Sequence, residues 1–528
     1  MAVDNTVVGA AQRSSRGKIV MLVDNGVNGD SRVQKEARSA AAAGWDVVLL
    51  GKSPTKREQF WQLGDAQVRL LHVPTPMHRR RHEYRRAVLR SPLAYRPGPL
   101  AAYRKQRMKA WRAELNIRLI QAGQRRSAVG KLKLMPPRIL ARVMSRWVGL
   151  RAKQTSALER RRKDMVSPLD RFTTAFWLRT MGDRAWRRLD PALWDMELAY
   201  GKVIDALEPD LIHANDFRML GVGARAKLRA GARGRSVKLV WDAHEYLPGI
   251  KPWNPHPRWH VAQCAYEREF SQYADAVTTV SETLADMLAD RHGLKAKPEV
   301  VLNAPDAEVS PEEAAEPVPD LRELCGIGAD VPLTVYSGSA APQRGLDIMV
   351  ESLPQLPGTH VVFVVLKPTS DYMTGLSARA LELGVSDRMH ILPYVPHYQV
   401  APFLASADAG VIPIHHWPNH EIALITKFFE YSHARLPFVV SDVKTMGEMV
   451  AQTGQGEVFK AEDVADYVRA VKAVLADPKK YRDVYDSQGL LDTWTWESQA
   501  EVLDGVYTRV LGGRTRSRSA VSVAQVVA

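Results

Sequence analysis

Cysteine is almost absent from this chain of 528 residues: Cys264 and Cys325 are the only two. Two isolated thiols without ligand-like spacing exclude a disulfide framework and a cysteine-rich metal centre, and they suit a reducing cytoplasm. Long apolar runs are missing as well. None approaches the roughly 20 residues that a transmembrane helix needs, and the opening MAVDNTVVGAAQRSSRG lacks the apolar stretch of a secretory signal. Residues 1–15 and 512–528 are expected to be disordered tails on a cytoplasmic protein. The third shortage is local. Residues 79–163 hold only 3 Asp+Glu against 26 Lys+Arg, a net of +23 that leaves −8 for the rest of a chain whose total is +15.

The length exceeds what one core usually supports, and an apolar content of 45% supplies enough for two. Short Val/Ile/Leu-rich segments near 18–24, 46–51, 68–73, 210–214, 238–242, 277–280 and 299–302 alternate with helical stretches. That alternation predicts an α/β fold with doubly wound parallel sheets. The first domain is expected at 16–305, interrupted by a basic helical insertion at about 79–190. A Pro/Glu/Ala-rich linker from residue 306 opens a second domain, 306–490. Trp494, Trp496, Leu503, Val506 and Tyr507 then mark an amphipathic helix within 491–511.

Three places carry candidate chemistry. In the first βα turn, Gly26 and Gly29 would let backbone approach a ligand, and Asp30 or Ser31 can cap a helix whose first turn carries Arg32 and Lys35. The glycine spacing is not the G-x-G-x-x-G of a dinucleotide site. In the stretch 417–442, WPNHEIALITKFFEYSHARLPFVVSD, a helix over 425–434 would aim unpaired N–H groups at a cleft where a diphosphate is stabilised. Lys427 adds a cation there, and Glu430, one turn on, can accept both hydroxyl protons of a ribose. A Lys-x-x-Glu taken alone is an ordinary solvated ion pair, and its context has to carry the functional reading. Finally, His213, Asp216, His244 and Glu245 lie at the C-terminal ends of successive predicted strands, where doubly wound sheets hold ligands. They are the candidate catalytic groups, although a histidine at a strand end is often structural.

The stretch 417–442 resembles the donor-binding signature of family 4 retaining glycosyltransferases of the GT-B fold, also called group 1. KIVMLVD at 18–24, PDLIHANDF at 209–217, LVWDAHEY at 239–246, VVLNAPD at 300–306, TVYSGSAAPQRGL at 334–346 and ADAGVIP at 407–413 follow in the order of that family. The resemblance implies two Rossmann-like domains, the first toward the acceptor and the second binding a nucleotide-diphosphate sugar. It puts Gly338 and Arg344 at the donor diphosphate, and Val395 and Pro396 at the nucleobase. It makes Glu430 the ribose contact and places Gly26, Gly29, Asp30 and Arg32 in the acceptor and phosphate loop. The family's first acidic residue commonly precedes the second by eight positions. Glu421 precedes Glu430 by nine and Ile422 holds the commoner place, so either Glu421 or the backbone around Ala423 and Leu424 meets the sugar. Ser339 and Asn215 stand where the family often has a basic residue and a second histidine. Either His213 takes the sugar-contacting role, or Asn215 hydrogen-bonds the sugar. The resemblance also implies retention through same-face substitution, no cofactor and no essential metal.

The insertion carries basic amphipathic patterns. Arg138, Arg142 and Arg146 lie along one helical line, with Leu140, Val143, Met144, Trp147 and Leu150 largely elsewhere. An anionic membrane surface is the expected partner of residues 79–163, with the chain peripheral on the inner face of the plasma membrane. Packing of those apolar residues on the first domain is the alternative; no nucleic-acid reader motif is present, and no nucleic-acid partner is expected. These features together predict a glycosyltransferase acting on a glycan or lipid-linked acceptor in cell-envelope or exopolysaccharide biosynthesis. A silent GT-B scaffold, a nucleotide-sugar epimerase and a glycan phosphorylase share the architecture.

Overall fold

A computed structural model describes residues 15–75, 91–96, 99–124, 127–164, 168–250, 257–307, 309–487 and 489–512. The expected tails, apart from Ser15 and Gly512, and residues 79–90 of the basic insertion lie outside the described residues. The chain forms two units. One holds residues up to 73, 196–250 and from 267 onward, and the other holds 74–195 and 251–266.

The first unit contains two sheets. Strands β1 (Lys18–Leu22), β2 (Asp46–Lys52), β3 (Gln59–Leu63), β4 (Ala66–Leu71), β5 (Leu211–Asn215), β6 (Lys238–Ala243), β7 (Ala276–Thr279) and β8 (Glu299–Val300) lie in the order β3-β4-β2-β1-β5-β6-β7-β8. All neighbours pair in parallel except β3 and β4, which form a hairpin. That hairpin was not anticipated from the sequence; its cue is the two-residue Gly64-Asp65 turn, with Gly64 at φ 58°. The second sheet is wholly parallel. It comprises β9 (Leu333–Ser337), β10 (His360–Val364), β11 (Met389–Leu392), β12 (Ala409–Ile412), β13 (Phe438–Ser441) and β14 (Gly456–Phe459), in the order β11-β10-β9-β12-β13-β14. β1, β5, β9 and β13 are buried along nearly their whole length, as parallel strands covered by helices on both faces must be.

Chain order reverses between β1 and β5 in one sheet and between β9 and β12 in the other. Such reversals leave a crevice beyond the strands' C-terminal ends, which is where open α/β sheets bind ligands. The helix Trp496–Leu511 returns to the first sheet: Trp496, Leu503, Val506 and Tyr507 join its core. Two residues earlier, Trp494 belongs to the second sheet's core, edge-on to Phe428 and Phe429 with centroids 5.5 and 5.7 Å away.

The second unit is helical. Leu100–Gln124 packs beside Met135–Asp164, and Pro168–Met181 follows. Trp186 packs edge-on against Tyr266, 4.8 Å between centroids. No described helix is long and apolar enough to cross a membrane. Leu140, Val143, Met144, Trp147 and Leu150 are 37–57% exposed.

Candidate active site

The cleft beyond the two switch points has a volume of about 780 Å³. One wall starts where β9 ends. Gly338, at φ 143°, leaves room for Lys427, whose Nζ would lie 2.7 Å from a Cβ at that position. After the Pro342–Arg344 turn, Gly345 sits at φ 65° against the exit of β12, where an added Cβ would be 2.0 Å from the Pro413 carbonyl oxygen. This tight crossing sets Arg344 at the cleft. Among the described residues its guanidinium makes no hydrogen bond or ion pair.

The helix Thr426–His433 begins at the same wall. Its N-cap, Ile425, supplies no side-chain acceptor, so first-turn N–H groups remain available to an anion. Thr426 Oγ1 accepts a hydrogen bond from Asn303 Nδ2 at 2.8 Å, and Tyr431 OH accepts one from the Ser337 N–H at 2.8 Å, which ties the helix to β9. Lys427 is buried, with Nζ 4.9 Å from the Tyr336 ring centroid. Burial pushes its ammonium down to about 7, the Arg344 cation adds to the effect, and Glu430 opposes it. Burial pushes Glu430 upward against the pull of Lys427 and Lys35. Both side chains line the cleft, and no direct ion pair joins them among the described residues. The solvated-pair reading does not describe them.

The opposite wall is the loop after β1. Val27 N–H donates to Asn25 Oδ1 at 2.8 Å and Asn25 Nδ2 to Asp30 Oδ2 at 2.7 Å, while Asp30 Oδ1 caps the helix Ser31–Ala42 through the Val33 N–H at 3.3 Å. Val27 has φ 67°, a left-handed conformation that a β-branched residue adopts only under constraint. Asn28, Gly29, Asp30 and Ser31 line the cleft, and Gly26 does not.

Arg32 borders the cleft but does not offer its charge to it. Its Nε and Nη2 fork onto the two oxygens of Asp242 at 2.9 and 3.0 Å, Nη1 donates to the Val301 carbonyl at 2.8 Å, and Nε lies 3.1 Å from Glu36 Oε1. The expected phosphate-facing role is thereby corrected: a buried guanidinium beside two buried carboxylates is held by them. Glu36, His213 and Asp242 offer ligand atoms within 4.8 Å of one another, and the Arg32 guanidinium already engages both carboxylates of that cluster.

His244 and Glu245 line the cleft beyond β6. His244 Nε2 is hydrogen-bonded to Asp242 Oδ2 at 2.5 Å, and Nδ1 lies 3.7 Å from Asp216 Oδ1. Burial opposes a charge on this ring, but the Asp242 and Asp216 carboxylates outweigh it and raise its pKa to about 9. Burial also opposes ionisation of Asp242, yet Arg32 and His244 hold its carboxyl well below the usual range. The two carboxylates therefore favour the charged form of the His244 ring. Asp216 stands behind it at φ 61°, its carboxyl pushed up to about 6 by burial against the pull of His244.

His213 is not in the cleft. It is fully buried, hydrogen-bonded through Nδ1 to Tyr507 OH at 2.9 Å and 3.4 Å from Glu36 Oε2 through Nε2. Its expected catalytic placement fails because β5 turns this side chain toward the helix Trp496–Leu511. Asn215, also buried, lies outside the cleft lining, and among the described residues neither of its side-chain polar atoms is hydrogen-bonded. Glu421 likewise lies outside: it is hydrogen-bonded to His416 Nδ1 at 2.6 Å and accepts the Lys444 N–H at 2.8 Å. Ile422 is buried, and its carbonyl accepts the Ser281 hydroxyl. Ala423 and Leu424 reach the cleft, as do Val395 and His397, while Pro396 does not. Tyr394, Asn303 and Asn25 line it too and were not singled out as site residues. Tyr394 is an aromatic beside the Val395 loop, and its phenol is pushed up to about 12 by burial and by Glu430.

Residues 320–488 match the family described as glycosyl transferases group 1, and residues 158–309 match glycosyltransferase family 4. This chain is a GT-B glycosyltransferase of the group 1, family 4 type. The glycosyltransferase is 28% identical over 330 residues to a GDP-mannose-dependent alpha-(1-6)-phosphatidylinositol monomannoside mannosyltransferase of Mycolicibacterium smegmatis, covering 59% of this chain and 80% of that one. Sucrose-phosphate synthase from Thermosynechococcus elongatus shares the fold at TM-score 0.60 and 15% identity, covering 94% of this chain and 100% of its own. HepE of Anabaena in complex with UDP-glucose does so at TM-score 0.54 and 14% identity, covering 93% and 100%.

Proposed function

We propose that this glycosyltransferase moves a sugar from a nucleotide-diphosphate donor to a glycan or lipid-linked acceptor. The transfer proceeds with retention of anomeric configuration and without an essential metal, and it serves cell-envelope or exopolysaccharide assembly. The observation that carries the proposal is the pairing of walls. Arg344, Lys427 and the uncapped start of Thr426–His433 face one side of the cleft, and His244 faces the other.

A diphosphate between these groups meets the helix N–H groups, a free guanidinium and an ammonium that regains its proton beside the anion. These supply the charge stabilisation that the leaving group needs as the glycosidic bond breaks, which supports metal independence. Glu430 accepts the ribose hydroxyls, and a protonated His244 donates to a sugar or phosphate oxygen. Retention is supported by the family resemblance. A relative named for GDP-mannose use and a fold neighbour bound to UDP-glucose support a nucleotide sugar as donor class without choosing its base.

The test is transfer from a panel of radiolabelled nucleotide sugars, with product configuration read by NMR, for the wild type and an Arg344→Ala/Lys427→Ala double variant. Two lost charge-assisted contacts at about 1.5–3 kcal/mol each predict at least a hundredfold loss of kcat/KM in the variant. Absence of donor binding and turnover with every common donor would favour a silent scaffold. Activity abolished by EDTA and restored by a divalent ion would refute the metal-independent mechanism.

A further inference from the structure

We propose that the helix Met135–Asp164 presents a docking surface for an anionic lipid bilayer. The helix carries two apolar faces. One, with Ala141, Val148 and Ala152, is buried. The other, with Ile139, Leu140, Val143, Met144, Trp147 and Leu150, is 37–59% exposed. At the helical repeat these six side chains fall within one arc of roughly 140°. Arg138, Arg142 and Arg146 form a row between the two faces, and no carboxylate pairs with any of them among the described residues.

A solvated helix face normally alternates charges of both signs. Here a tryptophan-bearing apolar stripe and an uncompensated arginine row run side by side, the arrangement of a helix lying in a bilayer interface. The stripe would enter the acyl boundary, and the arginine stems would reach back to headgroup phosphates. Charge selects this occupant. A second copy would bring two segments of +23 together, and a nucleic acid would satisfy the arginines while leaving the stripe in water. An anionic bilayer satisfies both.

The surface stands independently of the donor-site reading, and one experiment separates them. The full chain is sedimented with vesicles of phosphatidylcholine, alone or mixed with phosphatidylglycerol, across a salt series. Binding is expected only to the mixed vesicles and weakens with salt. Each engaged basic residue strengthens partitioning about fivefold, so Arg138→Gln/Arg142→Gln/Arg146→Gln is expected to bind about a hundredfold more weakly. Leu140→Ser/Trp147→Ser also loses binding. All these residues are outside the donor cleft, so helicity by circular dichroism and calorimetric binding of nucleoside diphosphates stay unchanged in both variants. Equal binding to neutral vesicles, undiminished binding by either variant, or preference for a single-stranded RNA oligomer in competition would overturn the proposal.

Discussion

Lys427 and His244 carry opposite pKa displacements, and each yields a pH dependence of a different quantity. Burial holds Lys427 near 7 instead of its ordinary 10.5, so diphosphate binding must be accompanied by proton uptake above that pH. Donor affinity is expected to fall by up to about tenfold per pH unit above 7. Lys427→Arg should flatten the profile in calorimetric titrations; an unchanged slope would remove Lys427 from the diphosphate site. His244 is raised from 6.5 to about 9. Its stabilisation is complete below pH 6.5, where the ring is charged in both folded and unfolded chains, and is lost as pH rises through about 9. His244→Gln should therefore cost about 2–3 kcal/mol in urea unfolding at pH 6 and much less at pH 9.5.

At the scale of elements, the turns between strands and helices set the site. Gly345 illustrates this: a Cβ there meets the Pro413 carbonyl oxygen at 2.0 Å on a left-handed backbone. Gly345→Ala is expected to shift the Arg344 turn and weaken nucleoside diphosphate binding at least tenfold while most of the helix content persists. Arg435 shows the converse. It ends the helix Thr426–His433 at φ 54°, a left-handed position where glycine removes roughly 1 kcal/mol of strain. Its exposed ion pair with Asp486 contributes little. Arg435→Gly should keep or raise the melting temperature. The helix Trp496–Leu511 is tied to β5 through Tyr507 and His213, so Tyr507→Phe leaves a buried imidazole nitrogen unpaired. That should cost about 1–3 kcal/mol, read by chemical denaturation, with the cleft groups in place.

For the molecule as a whole, the cleft proposed to hold the donor draws on both sheets. Asn303 donates across to Thr426, and the Tyr246 N–H donates to Asn419 Oδ1 at 3.1 Å. On the proposed reading a bound nucleotide would engage the wall of one sheet and the loops of the other, so it should stabilise the whole first unit. At a hundredfold excess over Kd the gain is about 2.7 kcal/mol. A thermal-shift comparison of UDP, GDP and ADP should therefore give one clear winner, and that winner names the donor base. Equal shifts with all three would mean that the Tyr394–His397 loop does not read the base.

Local pattern in the sequence determined much of this protein: seven parallel strands of the first sheet, the helix Trp496–Leu511 and the start of the Thr426–His433 helix. Apolar runs, capping residues and glycines act over a few positions, so their consequences are legible in order along the chain. Lys427, Arg344, Gly338, His244 and Glu245 were legible for the same reason, since each sits at or just beyond an element's end beside the switch point, and Glu430 follows Lys427 by one helical turn. Side-chain direction at those ends was decided only by tertiary structure. His213 and His244 both follow strand patterns, yet one is drawn to Tyr507 some 294 residues away and the other to the cleft. Arg32 reads as a free cation until β6 brings Asp242 beside it, and Glu421 reads as sugar-facing until His416 and the Lys444 N–H claim its oxygens. A charge goes to whichever partner folding places nearest, and for Arg32 that partner lies 210 residues along the chain.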